Sequence, residues 1–195
     1  MERTLIILLM VTLLTVGCSS TETVSNDPEP VDDGQTQESR SNTEVEKQTD
    51  PLTGLAVDDG GIHHPVVMVM INNHPKARPQ TGLNRADIVF EVLAEGEITR
   101  FAAFYHSVKE GNIGPVRSAR PYYLDLAEGF NAVVAHAGGS PAAKERFNQP
   151  GYPSLDGIEG DGKYFTREDF RQAPHNLYTS MESLLRGAQE QGFDD

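Results

Sequence analysis

Six consecutive apolar residues, VVMVMI at 66–71, stand between Pro65 and the pair Asn72-Asn73. A run of this length between turn formers reads as a strand buried at the centre of a sheet. The next segments supply its neighbours. Over 87–95, Ile88, Phe90 and Val92 alternate with Val89, Glu91 and Leu93. Over 98–107, Phe101, Ala103 and Tyr105 alternate with Ala102 and Phe104. The AEGE between them is a hairpin-type turn, so two antiparallel strands are expected. NAVVAHA at 131–137 reads as a further short strand. Helices are expected at 121–128, stopped at Gly129, and at 142–148, with Ser140 as N-cap and Pro141 as first helical residue. A last helix runs to about Gln191 from Thr179-Ser180-Met181-Glu182, which matches a capping box. A short helical turn is expected over 81–85, another turn over 163–170, and irregular Gly/Pro-rich chain over 149–162. The fold class is therefore α/β (or α+β), with one mixed β-sheet, an antiparallel hairpin and packed helices. A body of residues 51–195 is long enough for one core.

The N-terminus has a different character. LIILLMVTLLTV at 5–16 is an apolar stretch too short to span a bilayer but suited to a signal peptide. It ends in Thr15-Val16-Gly17-Cys18, and small residues before a cysteine resemble the lipobox of bacterial lipoproteins. Thr15 departs from the leucine usual there. Residues 1–18 thus read as a lipoprotein signal peptide, and the resemblance implies diacylglycerol on the sulfur of Cys18 and removal of the peptide before it, leaving Cys18 as the first residue. Two or three acyl chains anchor stably where one is marginal. Cys18 is the single cysteine, which excludes an intrachain disulfide and a cysteine-built zinc site.

Residues 19–50 are almost devoid of apolar side chains and carry nine acidic residues against Arg40 and Lys47. Such a segment buries too little surface to offset its ordering entropy, so it reads as a disordered acidic tether. Random-coil scaling gives it a reach of roughly 30 Å. The whole chain has a formal charge of -13, which argues against a nucleic-acid partner.

Two stretches could bind an anion. NIGPVRSARPYYLDL at 112–126 places Arg117 and Arg120 before a helix opening at Pro121, with Ser118 near the cap and Arg100 on a neighbouring strand. These guanidinium groups could grip phosphate or carboxylate. They could equally pair inside the domain with Glu91, Glu95 or Asp125. HAGGSP at 136–141 is the second stretch. Gly138 and Gly139 permit close backbone approach, Ser140 could donate to a ligand, and His136 could serve Ser140 as a base. A G-x-S-x-G elbow is absent, and a capped helix beside a buried histidine is the plainer reading. Glu91 and Glu95 on one strand face would stand roughly 13 Å apart, beyond the reach of glycosidase pairs. The six histidines show no metal-binding spacing, and there is no P-loop or dinucleotide fingerprint. Neither a metal nor a cofactor is expected.

The words PLTGL, INNHPKARPQTGL, ADIVFEVLAEGEITRF, IGPVRSARPYY, HAGGSP and APHNLYTS occur together between Pro51 and about Ser183. In these the chain resembles the YerB-like family of bacterial lipoproteins, whose N-terminal domain has no assigned function. The resemblance implies a cell-envelope lipoprotein, most often of Gram-positive relatives, lipid-anchored to the membrane outside the cytoplasm. It supplies no catalytic residues. Family members usually continue into a C-terminal domain. Either that domain is missing from this sequence or this is a short member.

The leading expectation is a lipoprotein that binds an anionic wall polymer, lipid head group or protein partner through a cleft. Arg117, Arg120, Arg100, His136, Gly138, Gly139 and Ser140 would form that cleft. A hydrolase or transferase acting on envelope polymers and a structural scaffold are the alternatives.

Overall fold

The run at 66–71 does lie at the centre of a sheet. In the computed structural model, which describes residues 48–57 and 61–193, β1 (Val67–Asn72) is buried along its whole length. The expected signal peptide, Cys18 and all of the tether before Gln48 lie outside the described residues. β3 (Thr99–Tyr105) pairs with β1 antiparallel on one side and with β2 (Ile88–Leu93) on the other. On its second side β1 pairs parallel with β5 (Val133–His136), which pairs parallel with β6 (Ser154–Asp156). The order is β2-β3-β1-β5-β6, a mixed sheet with the expected hairpin at one edge. A second sheet has the order β4-β8-β7, built from β4 (Asn112–Ile113), β7 (Phe165–Arg167) and β8 (Leu177–Ser180).

Strand side chains alternate between faces, so a strand buried on both must feed two cores. Val67, Val69 and Ile71 join Ala103, Tyr105, Val133, Ala135 and Leu155 under the small sheet and α3 (Met181–Gln191), which contributes Met181, Leu184 and Ala188. Met68 and Met70 join Phe104 and Val134 on the opposite face. There α1 (Pro121–Gly129) adds Tyr123, Leu124 and Ala127, and α2 (Pro141–Phe147) adds Ala143. The fold is α/β with helices on both sides of the five-stranded sheet. On edge strand β2, half-buried Ile88, Phe90 and Val92 alternate with exposed Val89, Glu91 and Leu93.

Several element ends differ from expectation. α1 runs through Gly129, and the left-handed residue that ends its turn is Asn131, with φ 48°. Asn131 is therefore outside β5. α3 is capped one residue later than expected, by the Ser180 hydroxyl, which accepts from the Ser183 N–H at 3.2 Å. Glu182 instead accepts the Gly111 N–H at 3.1 Å, and Thr179 donates to the Tyr164 carbonyl. Ser118 does not cap α1, whose N-cap is Arg120 without a side-chain bond. The folded body also begins before Pro51. Thr49 bridges to Ala56, and Asp50 is only 2% exposed. Its carboxylate accepts from the N–H groups of Leu52 and Thr53 and from the Thr53 hydroxyl.

Residues 114–119 fasten these parts together. Pro115 accepts the Asn72 N–H, Arg117 donates its N–H to Met70, and Val116 donates to Leu177 of β8. Ala119 donates to Gly138 and accepts from Ser140, while Arg117 accepts from Ala137.

Candidate anion site

These backbone bonds bring the two suspected stretches side by side at the carboxyl ends of β1 and β5, with Ala119 bridged to Gly139. Arg100 comes from β3, opposite Asn72 in register. It is 8% exposed and is held by the Ser118 carbonyl at 2.8 Å and by Glu95 Oε2 at 3.2 Å. Arg120 grips the same carboxylate through Nε and Nη2 and its own neighbour, the Ala119 carbonyl, through Nη1. The Arg120 hydrogen bond leads the causes that hold the Glu95 carboxyl below its usual range. Internal pairing with Glu95 thus accounts for Arg100 and Arg120, whereas Arg146 takes Asp125.

Arg117 is different. It is half-buried and makes no ion pair or side-chain hydrogen bond among the described residues. Burial pushes its pKa down, and the Arg120 guanidinium pushes further in the same direction, while Glu95 offsets part of the shift.

Two histidines complete the surroundings. His175 is pushed down by burial first and then by the charges of His74, Arg117, Lys76 and Arg171. The rings of His74 and His175 stack with centroids 4.6 Å apart. The Asn72 amide Nδ2 donates to His175 Nδ1 at 2.9 Å, and His74 Nδ1 accepts the Lys76 N–H at 3.1 Å. An imidazole that accepts at Nδ1 carries its proton at Nε2 when neutral, so each neutral ring keeps a donor there. Arg171 ties this loop to the one after β1 by donating to the Ala77 and Pro79 carbonyls. Buried Asn73 braces the base, donating to Glu91 and Thr99 and accepting from Arg78 and Gln80. Arg100, Arg117 and Arg120 thus lie within electrostatic reach of Glu95, while His74, Arg117, Lys76 and Arg171 lie within reach of His175.

His136 does not join this group. It is 1% exposed, its ring stacks on Phe147 at 3.9 Å, and its Nδ1 donates to the Gly138 carbonyl at 3.0 Å. It lines a cavity that contains none of the three arginines. The Ser140 hydroxyl accepts the Ala143 N–H at 3.3 Å and caps α2. Ser140 and His136 share no hydrogen bond, so the local geometry gives no activated nucleophile. Gly138 and Gly139 serve the backbone: Gly138 takes φ 68°, and a Cβ at Gly139 would stand 3.1 Å from Ala143 Cβ.

Residues 52–194 match the family described as "Protein of unknown function (DUF3048) N-terminal domain". The chain belongs to this family. A relative in Bacillus subtilis (strain 168), named "Putative lipoprotein YerB", is 46% identical over 143 residues, covering 73% of this chain and 43% of its own length. The crystal structure of the Bacillus subtilis YerB protein matches with a TM-score of 0.71 at 45% identity, covering 75% of this chain and 51% of that one. The chain spans about half the length of the relatives it matches. The resemblance read from the sequence words is borne out.

Within this family domain, His74, Lys76, Arg171 and His175 escaped the sequence reading. Both histidines adjoin a proline in a polar loop, His74-Pro75 and Pro174-His175. That adjacency is the signal the sequence offers, and metal-ligand spacing does not reveal it.

Proposed function

We propose that this protein is a lipid-anchored envelope lipoprotein whose folded domain recognises an anionic ligand through Arg117, with His74, His175 and Lys76 as further donors. The observation that carries this reading is the contrast among the arginines. Arg100 and Arg120 are matched to Glu95, while Arg117 beside them has no acidic partner among the described residues. A half-buried guanidinium costs desolvation energy unless something negative meets it. A planar fork of donors suits phosphate or carboxylate. The B. subtilis relative's name supports the lipoprotein half, with Cys18 as the lipidated residue.

The binding half is tested by calorimetry with inorganic phosphate, glycerol phosphate and acetate on the wild type and on Arg117→Ala. Saturable heat with at least one anion, lost in the variant while its circular dichroism is unchanged, supports the reading. Equal responses from both proteins reject it. For the anchor, Cys18→Ala should leave the membrane fraction, and a variant that stays there overturns it.

A further inference from the structure

A separate cavity of about 330 Å³ lies between α2, β6 and the end of α3. His136 and Asp156, the last residues of β5 and β6 and partners in register, form its floor. The crevice outside the carboxyl ends of parallel strands is where open α/β sheets receive ligands.

The cavity has an unmet requirement. A carbonyl can only accept, so the contact between His136 Nδ1 and the Gly138 carbonyl puts the proton on Nδ1. Burial pushes the pKa of His136 down, outweighing the nearby carboxylate of Asp156, which keeps the ring neutral. Its Nε2 is then a lone-pair acceptor, buried and without a partner. Buried polar atoms of this kind are rare, and His136 lines the cavity, so a donor that displaces the cover of Nε2 would complete a hydrogen bond the fold leaves unmade.

The wall fixes the charge of that donor. Asp156, Glu159 and Asp161 line the cavity against a single ammonium, Lys144, which is paired with Glu159. Phe147 and Tyr152 add aromatic surface, which also favours a cation. The carboxylates do not converge as metal ligands would. Asp156 accepts the N–H groups of Gly138 and Ile158, and Asp161 accepts from the Asp156 N–H and from Gln191. Among the described residues no group of three such side chains could hold a metal ion.

We infer that this cavity binds a small ligand through a primary ammonium group, which donates one N–H to Nε2 of His136 and lies among the carboxylates of Asp156, Glu159 and Asp161. The site is independent of Arg117, and its ligand has the opposite charge.

The test uses 1,4-diaminobutane, Nα-acetyl-lysine amide and, as a neutral control, butane-1,4-diol. The readout is the side-chain 15N resonance of His136 Nε2 together with calorimetry. A saturable shift with either amine and none with the diol is expected. The amine that binds distinguishes a free amine from a lysyl side chain. His136→Phe keeps a ring on Phe147 and removes the acceptor, and should weaken amine binding by about tenfold or more. Two rim variants keep the test decisive should that protein not fold. Glu159→Gln should weaken binding by about threefold and Lys144→Met should strengthen it by a similar factor. Failure of both amines to move the Nε2 resonance overturns the inference. An equal shift with the diol, or rim variants acting in the opposite sense or not at all, does the same.

Discussion

The Oδ2 of Asp50 lies 2.5 Å from Nδ1 of His106, and both residues are buried. The point where the fold takes up the chain from its N-terminal side is thus clamped to the end of β3. Burial pushes the Asp50 carboxyl up, but hydrogen bonds from His106 and Thr53 together outweigh it and hold the group below the usual range. Asp50→Ala strands His106 and three donors of the 52–53 turn. It should cost about 3 kcal/mol of stability, read by urea unfolding. A loss under about 0.5 kcal/mol would show that the clamp contributes little.

Glu95 sits on an exposed turn, with 59% of its side chain accessible. Its ion pairs should therefore contribute at most about 1 kcal/mol to stability. Its charge nonetheless competes with any anion for the arginines. Glu95→Gln should leave the melting temperature nearly unchanged and raise phosphate affinity several-fold, by about 1 kcal/mol. Calorimetry on the variant checks this, and unchanged or weaker binding contradicts it.

Stability should depend on the histidines in a defined direction. His64, His136 and His175 are each held below the ordinary value of 6.5, with burial the leading cause. Below that value the unfolded chain takes up protons that the folded protein resists. Stability should be level above about pH 6.5 and fall as the pH drops toward 5. Around His136 the facing charges are Asp156, Glu159, Asp161 and Lys144, which limit the loss without reversing it. Thermal melts across this range check the sign, and His136→Phe should flatten the slope. A melting temperature that rises on acidification would refute the assignment.

Ser140→Ala removes the hydroxyl that caps α2. The expected cost is about 1 kcal/mol, the usual value for losing such a cap. A serine-directed covalent probe should leave the wild type unlabelled, as read by intact-protein mass spectrometry. Labelling at Ser140 would reopen the catalytic alternative.

The central sheet was legible because its signals are local. The run at 66–71 and the alternation over 88–105 each fix burial without knowledge of the partner, and Ser140-Pro141 announces α2 by capping chemistry alone. The small sheet, and β6 at the edge of the central one, were not legible. β4, β6, β7 and β8 have two to four residues each and lie among glycines and prolines, so their identity comes from the strands they meet. The capping box slipped for the same reason: Thr179 is taken into β8, which leaves Ser180 at its end to cap the helix. The three arginines could be found in sequence, but their division into two matched groups and one unmatched depends on where a hairpin 25 residues before Arg120 delivers Glu95. His136 looked like part of the same site because it is near in sequence. Strand alternation turns it toward α2 instead.

Residues 114–119 are tied at once to β1, to β8 and to the turn after β5. Arg117 is therefore mounted on a keystone and not on a swinging arm. Moving it would require breaking main-chain bonds in both sheets, so an incoming anion meets geometry already set during folding. Association should then be a single-step encounter governed by charge and ionic strength, with no slow closing phase after contact.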